Sequence, residues 1–566
     1  MTTQVVYDYV IAGGGSAGCT LAARLAEDPD VTVLLVEAGG NGRHLFARMP
    51  AGNGFLFGNP KFDWCCESVP QPGLNGRKIY YPRGKGLGGS SLLNGMIYIR
   101  GHPADYDRWR QKGLPGWSYG DVLPYFKRSG RAAHRAGDPY HGVDGPLRLT
   151  PAGNYDRVNE IFVEACRQAG ADWNDDPNGV RQTGVSRIDT KVHAGQRQAT
   201  GRAYLATHPK NLTVVTKTRV LGVAMEGARA AGLRLSSGTV RAAREVILCL
   251  GAFGSPHCLM LSGIGPADHL REHGISVHAD LPGVGATLYD HPVMSMQYGL
   301  LDDRLSMSRF QRLDRAALLG LRYLLTGTGP GAAPFWSTQL FHALRDPEMP
   351  ELQVFFTPML VKEEAGGSGW TIQNLLSPGR AVIARGKMAA SGAQFDVNLL
   401  RPRSSGHLQL ASTNPDDMPV IDPGYFRDPA DIDDLVAGVR HMREVVSRPA
   451  FDGVIGAESA PGVDALSDAD LAEGVRNFTT TGHHPVSTCR MGADSDPGAV
   501  LDAELRVRGT EGLRVADASS FPDLTNGNTN APVIMLAEKA ADMILGRPPL
   551  PPEDPRMMNE IERTAQ

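Results

Sequence analysis

Little in this sequence is extreme, and each scarcity removes a class of function. No apolar run reaches the ~20 residues that a membrane-spanning helix needs. The chain does not open on a basic stretch followed by an apolar segment and a cleavage site, so no secretory leader is expected. Excess charge is missing. Over 566 residues, 57 basic and 61 acidic side chains leave a formal net charge of −4. That gives no electrostatic case for nucleic acid or for an anionic membrane. Cysteine is sparse and odd in number, seven thiols scattered from Cys19 to Cys489. This fits reduced thiols and a cytoplasmic location better than a disulfide framework. The neighbours Cys65 and Cys66 read as incidental thiols. There is no C-x-x-C and no H-E-x-x-H, hence no reason to expect a metal. No internal repeat is visible.

What is present is a globular composition, 42% apolar and 21% charged, long enough for two or three domains' worth of core. Glycine (67) and proline (40) are plentiful, which predicts many turns and much irregular chain.

The opening residues are the most informative. Tyr7 to Ala12 reads as a buried strand and runs into Gly13-Gly14-Gly15-Ser16-Ala17-Gly18. A helical stretch to about Ala26 and a second apolar strand, Val31 to Val36, follow, ending at Glu37. This is G-x-G-x-x-G in its required setting, with an acid nineteen residues after the last glycine. Such glycines let backbone approach a pyrophosphate at a helix N-terminus, and Glu37 can accept from a ribose. An adenine dinucleotide is the expected ligand. Gly84, Gly86 and Gly89 repeat the spacing without the strand and helix. Six glycines between 84 and 101, with Ser90, Ser91 and Asn94, instead form a backbone path able to lie against a planar ring. An isoalloxazine needs such a platform; a nicotinamide does not.

Two later segments carry polar side chains in stretches with little periodicity. Thr481 to Gly492 contains His483-His484-Pro485. Proline restricts His484 to extended backbone, and an imidazole suits proton abstraction from a hydroxyl. Asp517-Ala518-Ser519 is followed by Asn526-Gly527-Asn528-Thr529-Asn530-Ala531-Pro532 at the start of the last helix. Short polar residues there cap the helix first of all. One asparagine could also reach a substrate oxygen.

Between these motifs, helices are predicted near 104–112, 119–130, 155–169, 313–326, 429–447, 465–477 and 531–545. Strands are predicted at Asn211–Thr216 and Arg244–Leu250, with an antiparallel meander over 220–240. The segment 362–392 lacks a period and reads as a lid or a disordered loop.

Taken in order, the segments resemble the glucose–methanol–choline (GMC) family of flavoprotein alcohol oxidoreductases over nearly the whole chain. Gly13–Gly18 with Glu37 is similar to its FAD fingerprint. Gly88 to Gly101 resembles its first signature, and Gly251 to Pro256 continuing to Ser262–Pro266 its second. Leu281–Gly285, Asp290-His291-Pro292, His484-Pro485 and Asn528–Pro532 also resemble the family. The resemblance implies an α/β fold: a Rossmann-like FAD domain with a parallel sheet, and an α+β substrate domain whose antiparallel sheet is flanked by helices. Expected boundaries are 1–105, 200–298 and 478–548 for the FAD domain. The substrate domain takes 106–199 and 299–477, and 549–566 is a tail.

The resemblance also implies roles. His484 is the expected base, with His483 as fallback, and Asn530 its partner. FAD contacts are expected from Gly13, Gly15, Ser16, Ala17, Gly18, Glu37, Ala38, Trp64, Arg83, Gly88, Ser91, Asn94, Gly95, Met96 and Ile97. Further contacts are expected from Val220, Gly251, Ala252, Asp517, Ala518, Asn528, Thr529 and Pro532. Leu93 stands where some members link FAD through a histidine, so FAD is expected to be non-covalent. Thr287 and Tyr289 replace a frequent Asn and Gln, and Ser487 a frequent Gly. Ala332 to Thr338 lacks an acidic residue, which favours a small neutral alcohol. The expected reaction is oxidation of a primary alcohol by hydride transfer to flavin N5, with oxygen or a quinone-type acceptor taking the electrons. An acceptor-linked dehydrogenase is the alternative within the class, and a flavin-binding relative without turnover the alternative outside it.

Overall fold

The structure, a computed structural model, describes residues 6–311, 313–360 and 391–556. Two sheets organise the chain. The first runs in the order Leu212–Val215, Val33–Val36, Val6–Ala12, Gly238–Leu248, Leu513–Val515, all parallel. Val10, Ile11, Val33, Leu35 and Val246 are fully buried. A parallel sheet is covered on both faces, so its strands are continuous apolar runs. The Gly238–Leu248 strand is long enough to pair twice. Its start joins Arg229–Leu235 antiparallel, which in turn joins Val220–Glu226. The expected meander is therefore an antiparallel extension of the nucleotide sheet.

The first helix, Ser16–Leu25, lies against the last, Asn530–Ile544. Glu538 of the last helix is fully buried and ties them: it accepts from Arg24 Nε at 2.8 Å, Arg128 Nε at 2.7 Å and the Tyr204 hydroxyl at 2.6 Å. The two ends of the sequence thus share one layer.

The second sheet is antiparallel within its main path, Ile455–Ala460, Pro292–Leu300, Gly392–Leu399, Leu352–Thr357, Thr338–His342, Gly184–Arg187, with Thr479–Thr481 also on the Pro292 strand. Successive side chains point to opposite faces. Met294, Met296, Phe356 and Phe395 form the apolar face; Phe356 stacks on Phe162 of the Arg157–Gln168 helix at 4.9 Å. The other face carries Val293, Ser295, Phe355 and Asp396. There Phe355 and Phe341 pack with Ile97 and Ile99 of the glycine-rich segment. The sheet is a roof over that segment.

The predicted helices form at Pro103–Gln111, Tyr119–Ser129, Arg157–Gln168, Leu313–Thr326, Ala430–Val446, Asp468–Phe478 and Asn530–Ile544. Ser118 with Asp121, and Ser467 with Asp470, make capping boxes that fix two of the starts. Of the segment 362–392, all but its last two residues lie outside the described residues. The described part of the tail is held by Arg556, whose Nη2 donates to Asp107 at 3.0 Å.

Candidate active site

The nucleotide end is built by excluding side chains. Gly13 has φ +97°, and a Cβ there would lie 2.6 Å from the Cys249 carbonyl oxygen. A Cβ at Gly18 would lie 1.9 Å from the Gly13 oxygen. Glu37 is buried at the end of its strand. Its two oxygens accept from Gly14 N at 2.9 Å and Gly39 N at 2.7 Å, and burial raises its pKa. It therefore holds the glycine loop against the strand end, and the Gly86 backbone N–H also donates to it, which leaves the carboxylate one of its four acceptor sites to spare. Ser16 and Ala17 begin the helix and Ala38 lies half-buried beside Glu37. Asp517 ties the last strand to the Gly251–Met260 helix. It accepts from Gly251 N and Ser519 N, both at 2.8 Å, and from the hydroxyls of Ser255 and Ser519 at 2.6 Å. Its carboxylate is thus occupied by the protein, and only the backbone of Asp517 and Ala518 is left for a ligand. Thr488 Oγ1 donates to the Ala252 carbonyl at 2.6 Å. Val220 opens its strand, Thr529 immediately precedes the last helix without a side-chain capping bond and Pro532 lies in its first turn.

The glycine-rich loop is packed directly on this grip: Gly88 N donates to the Gly14 carbonyl at 2.7 Å. Ser91 Oγ accepts from Thr200 N at 2.9 Å. Asn94 Oδ1 accepts from Met96 N and from Arg197 Nη1, both at 3.1 Å. Gly95 faces the Trp336 ring, 3.0 Å from where a Cβ would be. Trp64 lies between the cations of Lys85 and Arg219, and its backbone N–H donates to the Arg83 carbonyl at 2.8 Å.

Asn530 belongs to this side. Its Nδ2 donates to Ser16 Oγ at 2.8 Å and its Oδ1 accepts from Lys191 Nζ. It makes no hydrogen bond to His484. Lys191 is fully buried without a carboxylate partner, and burial, then the neighbouring Arg197, pull its pKa down to about 7. A buried cation without an anion is costly unless a bound group supplies the charge.

The imidazole centre is set by three elements. His484 N donates to Asp290 Oδ1 at 2.7 Å, and Asp290 Oδ2 accepts from the Tyr425 hydroxyl at 2.5 Å and from Thr481. The ring's tautomer follows from its neighbours. His291 Nε2 faces the Leu400 carbonyl at 3.2 Å, which only accepts, so that nitrogen bears hydrogen. Burial holds the His291 pKa down to about 3, so the ring is neutral and its Nδ1 is a bare acceptor. His484 Nδ1–H therefore donates to His291 Nδ1 across 2.9 Å. That leaves His484 Nε2 without hydrogen, and Asn528 Nδ2 donates to it at 3.1 Å. Burial first, then His291, His483 and Arg83, hold His484 well below the ordinary imidazole pKa. The site keeps a neutral imidazole with its basic nitrogen fixed. Asn528, expected as a cofactor contact, is the residue that meets it.

Three non-glycine residues here adopt left-handed backbone: Met96 (φ +63°), His483 (+63°) and Ser487 (+74°). Such strain gathers at functional sites. Ser487 replaces a frequent glycine, and its positive φ is the reason for glycine there. His483 Nδ1 and Nε2 belong to a ring whose pKa burial drives down to about 3, yet much of its surface is bare. Asn528 Oδ1 is also buried without a partner. A flat glycine path, a buried cation and an unfilled amide oxygen fit a flavin dinucleotide.

The sheet roof supplies one more group. Asp396 accepts from Ser295 Oγ at 2.8 Å and Gln394 Nε2 at 2.6 Å, and the Trp336 indole also donates to it; burial raises its pKa. The acid missing from 332–338 is thus brought to Trp336 through space, which removes the ground for expecting a neutral substrate. Asp396, His291 and Lys191 were not singled out from sequence as site residues. Only His291 left a signal, in the Asp290-His291-Pro292 segment.

A doubly wound nucleotide sheet, a glycine platform and a fixed imidazole under an antiparallel roof define an FAD-dependent oxidoreductase acting on CH–OH groups. The profile of GMC oxidoreductases matches residues 7–293 and 402–537. The chain is 40% identical over 551 residues to the oxygen-dependent choline dehydrogenase of Brucella ovis, covering 96% of each. Its structure is similar to pyridoxine 4-oxidase from Mesorbium loti, with TM-score 0.82, 30% identity, and 96% and 100% of the two chains covered. It is also similar to a formate oxidase variant from Aspergillus oryzae, solved for the effect of a mutation on FAD modification, with TM-score 0.84, 26% identity, and 96% and 99% covered. The chain belongs to the GMC oxidoreductase family, and its cofactor is FAD.

Proposed function

We propose that the chain oxidises a primary alcohol to an aldehyde, with His484 as the base and Asn528, rather than Asn530, as its partner. FAD, when bound, supplies the acceptor for the two electrons leaving the carbinol. The single observation that carries the reading is the bare Nε2 of His484, left so by the Leu400–His291–His484 relay and faced by Asn528. When a substrate hydroxyl displaces the Asn528 amide from that nitrogen, its lone pair takes the hydroxyl proton. A neutral, correctly oriented base gives about 10²–10⁴-fold. The Asn528 amide orients the substrate oxygen against the imidazole, and its free Oδ1 can accept from the substrate. Gly13 to Gly18, Glu37, Lys191 and the Gly88–Ile97 loop hold the cofactor non-covalently, since Leu93 offers no nucleophile. Asn530 takes a cofactor-side role through Ser16 and Lys191.

The substrate lies beneath the Ser295–Asp396–Trp336 group. An alcohol whose far end offers a cation or hydrogen-bond donors suits that carboxyl better than a plain alkanol. The curated relatives, named for choline, support this.

The test is anaerobic flavin bleaching by a panel of alcohols. His484→Ala and Asn528→Ala should slow bleaching about 10²-fold or more, while Asn530→Ala should mainly loosen FAD. Equal slowing by Asn528→Ala and Asn530→Ala, with FAD retained in both, would overturn the exchange of roles. Peroxide yield measured beside dye reduction assigns the electron acceptor.

A further inference from the structure

Two buried cations stand behind the glycine-rich loop, and the proton chemistry at His484 uses neither. Lys191 and Arg197 are each 1% exposed. No carboxylate among the described residues acts on either charge. Their hydrogen-bond acceptors are neutral. Lys191 Nζ donates to Asn530 Oδ1. Arg197 Nη1 donates to the Asn94 and Ser91 carbonyls at 2.5 and 3.3 Å and to Asn94 Oδ1 at 3.1 Å, while its Nε and Nη2 have no partner. Burial drives Lys191 down to about 7 and Arg197 down to about 9, and Arg197 adds to the fall at Lys191. A charge held out of water without an anion disfavours the fold, so negative charge brought by a ligand is favoured beside it.

Both cations are fastened to the platform itself. Lys191 N donates to the Met96 carbonyl at 2.8 Å, and Thr190 bridges to Ile97. Asn530, which takes the Lys191 ammonium, is the first residue of the last helix, where unpaired N–H groups add a positive pole. Two residues earlier, Asn528 meets His484 Nε2 at 3.1 Å. Residues two apart have Cα atoms within about 7 Å of each other. A ring that takes hydride from a carbinol held at His484 therefore lies close to Asn530. The flavin ring is neutral when oxidised. A hydride brings it two electrons and one proton, so the ring gains one negative charge. Charge near the ring is one of the ways a protein tunes such a cofactor.

We propose that Lys191, backed by Arg197 and acting through Asn530, is a positioning residue that stabilises the negative charge placed on the flavin by hydride transfer, and so raises the reduction potential of the bound cofactor. The inference rests on the reading that the ring lies along Gly88–Ile97. The other anion within reach is the pyrophosphate, since Asn530 Nδ2 donates to Ser16 Oγ at 2.8 Å. The pyrophosphate carries its charge in both redox states, so a cation serving it would favour oxidised and reduced FAD alike. The two backbones that carry the cations bond instead to Asn94 and Met96, under the ring.

The test is the flavin potential of the FAD-loaded enzyme, read against a reference dye during slow reduction by xanthine and xanthine oxidase. This needs neither an alcohol nor a base, so it does not depend on His484. The affinity of the apoprotein for oxidised FAD is measured beside it. Lys191→Met should shift the balance from reduced toward oxidised FAD by about tenfold or more, a fall of about 30 mV for a two-electron couple. Lys191→Gln keeps a donor toward Asn530 and removes the charge, and the same fall is expected. A wild-type potential in Lys191→Gln would make the contact a hydrogen bond and nothing more, and would overturn the proposal. Equal weakening of oxidised and reduced FAD, with the potential unmoved, would assign the cation to the pyrophosphate and also overturn it. Potential and affinity both unmoved in the two variants would overturn it together with the placing of the ring on this loop.

Discussion

At the nucleotide end of this molecule side chains must be absent; at the imidazole end one residue must meet three side chains, one through its backbone N–H and two through its ring. Gly13, Gly18 and Gly88 let the backbone of two loops come into contact, and Glu37 merely clamps the result. His484, by contrast, is held in place because Asp290, His291 and Asn528 each take one of its hydrogen-bonding groups. The first kind of site fails by steric intrusion, all at once. The second fails by degrees, through protonation and orientation. The difference predicts how each breaks.

The largest effect is expected from one methyl group at the nucleotide end. Gly18→Ala places a Cβ 1.9 Å from the Gly13 oxygen, a contact that only backbone movement can relieve. The loop and the helix start must part, and both the pyrophosphate cradle and the packing of Gly88 on Gly14 go with them. The purified variant should carry no flavin absorbance. A yellow, active Gly18→Ala enzyme would show that the grip tolerates what its geometry forbids.

A smaller, graded effect is expected at the other end. Arg83 Nη2 donates to the His483 carbonyl at 2.9 Å, and its charge is one of the causes holding the His483 and His484 imidazoles down. The sign is simple. If His484 is the base, as proposed, its neutral form is the one that works, and a nearby cation, by disfavouring protonation, should let activity persist to lower pH. Arg83→Met removes the cation and lets the His484 pKa rise. The acid limb of kcat/KM should move to higher pH while the alkaline plateau changes little. A limb that stays in place would mean that burial alone, the larger cause, sets the basicity.

The same contrast explains what could be read from sequence. Glycines are legible because their need is local. Spacing in Gly13–Gly18 and its flanking strand and helix announced both fold and ligand. The imidazole pairings join residues 193 and 44 positions apart. Asn528 and Asn530 are two residues apart at a helix start, and nothing in a sequence says which one turns toward His484. Asp396 was invisible for a further reason: it reaches Trp336 only through the register of Ser295 opposite Asp396 across the roof.

Ser487 is where the two kinds of construction overlap, and it carries the smallest expected effect. It stands in the imidazole segment yet has φ +74°, a backbone suited to glycine. A non-glycine residue there costs about 1–2 kcal/mol. Its hydroxyl is also buried without a partner, at about 1–3 kcal/mol. Ser487→Gly removes both penalties and adds back about 0.4–1 kcal/mol through the freer unfolded chain. A net gain of about 1 kcal/mol or more is expected, read as a rise in the melting temperature of the FAD-loaded enzyme. Turnover should be unchanged if the hydroxyl has no part in the chemistry. A variant that is more stable but slower would show that Ser487 Oγ meets cofactor or substrate, and would move this position from the glycine kind of construction to the imidazole kind.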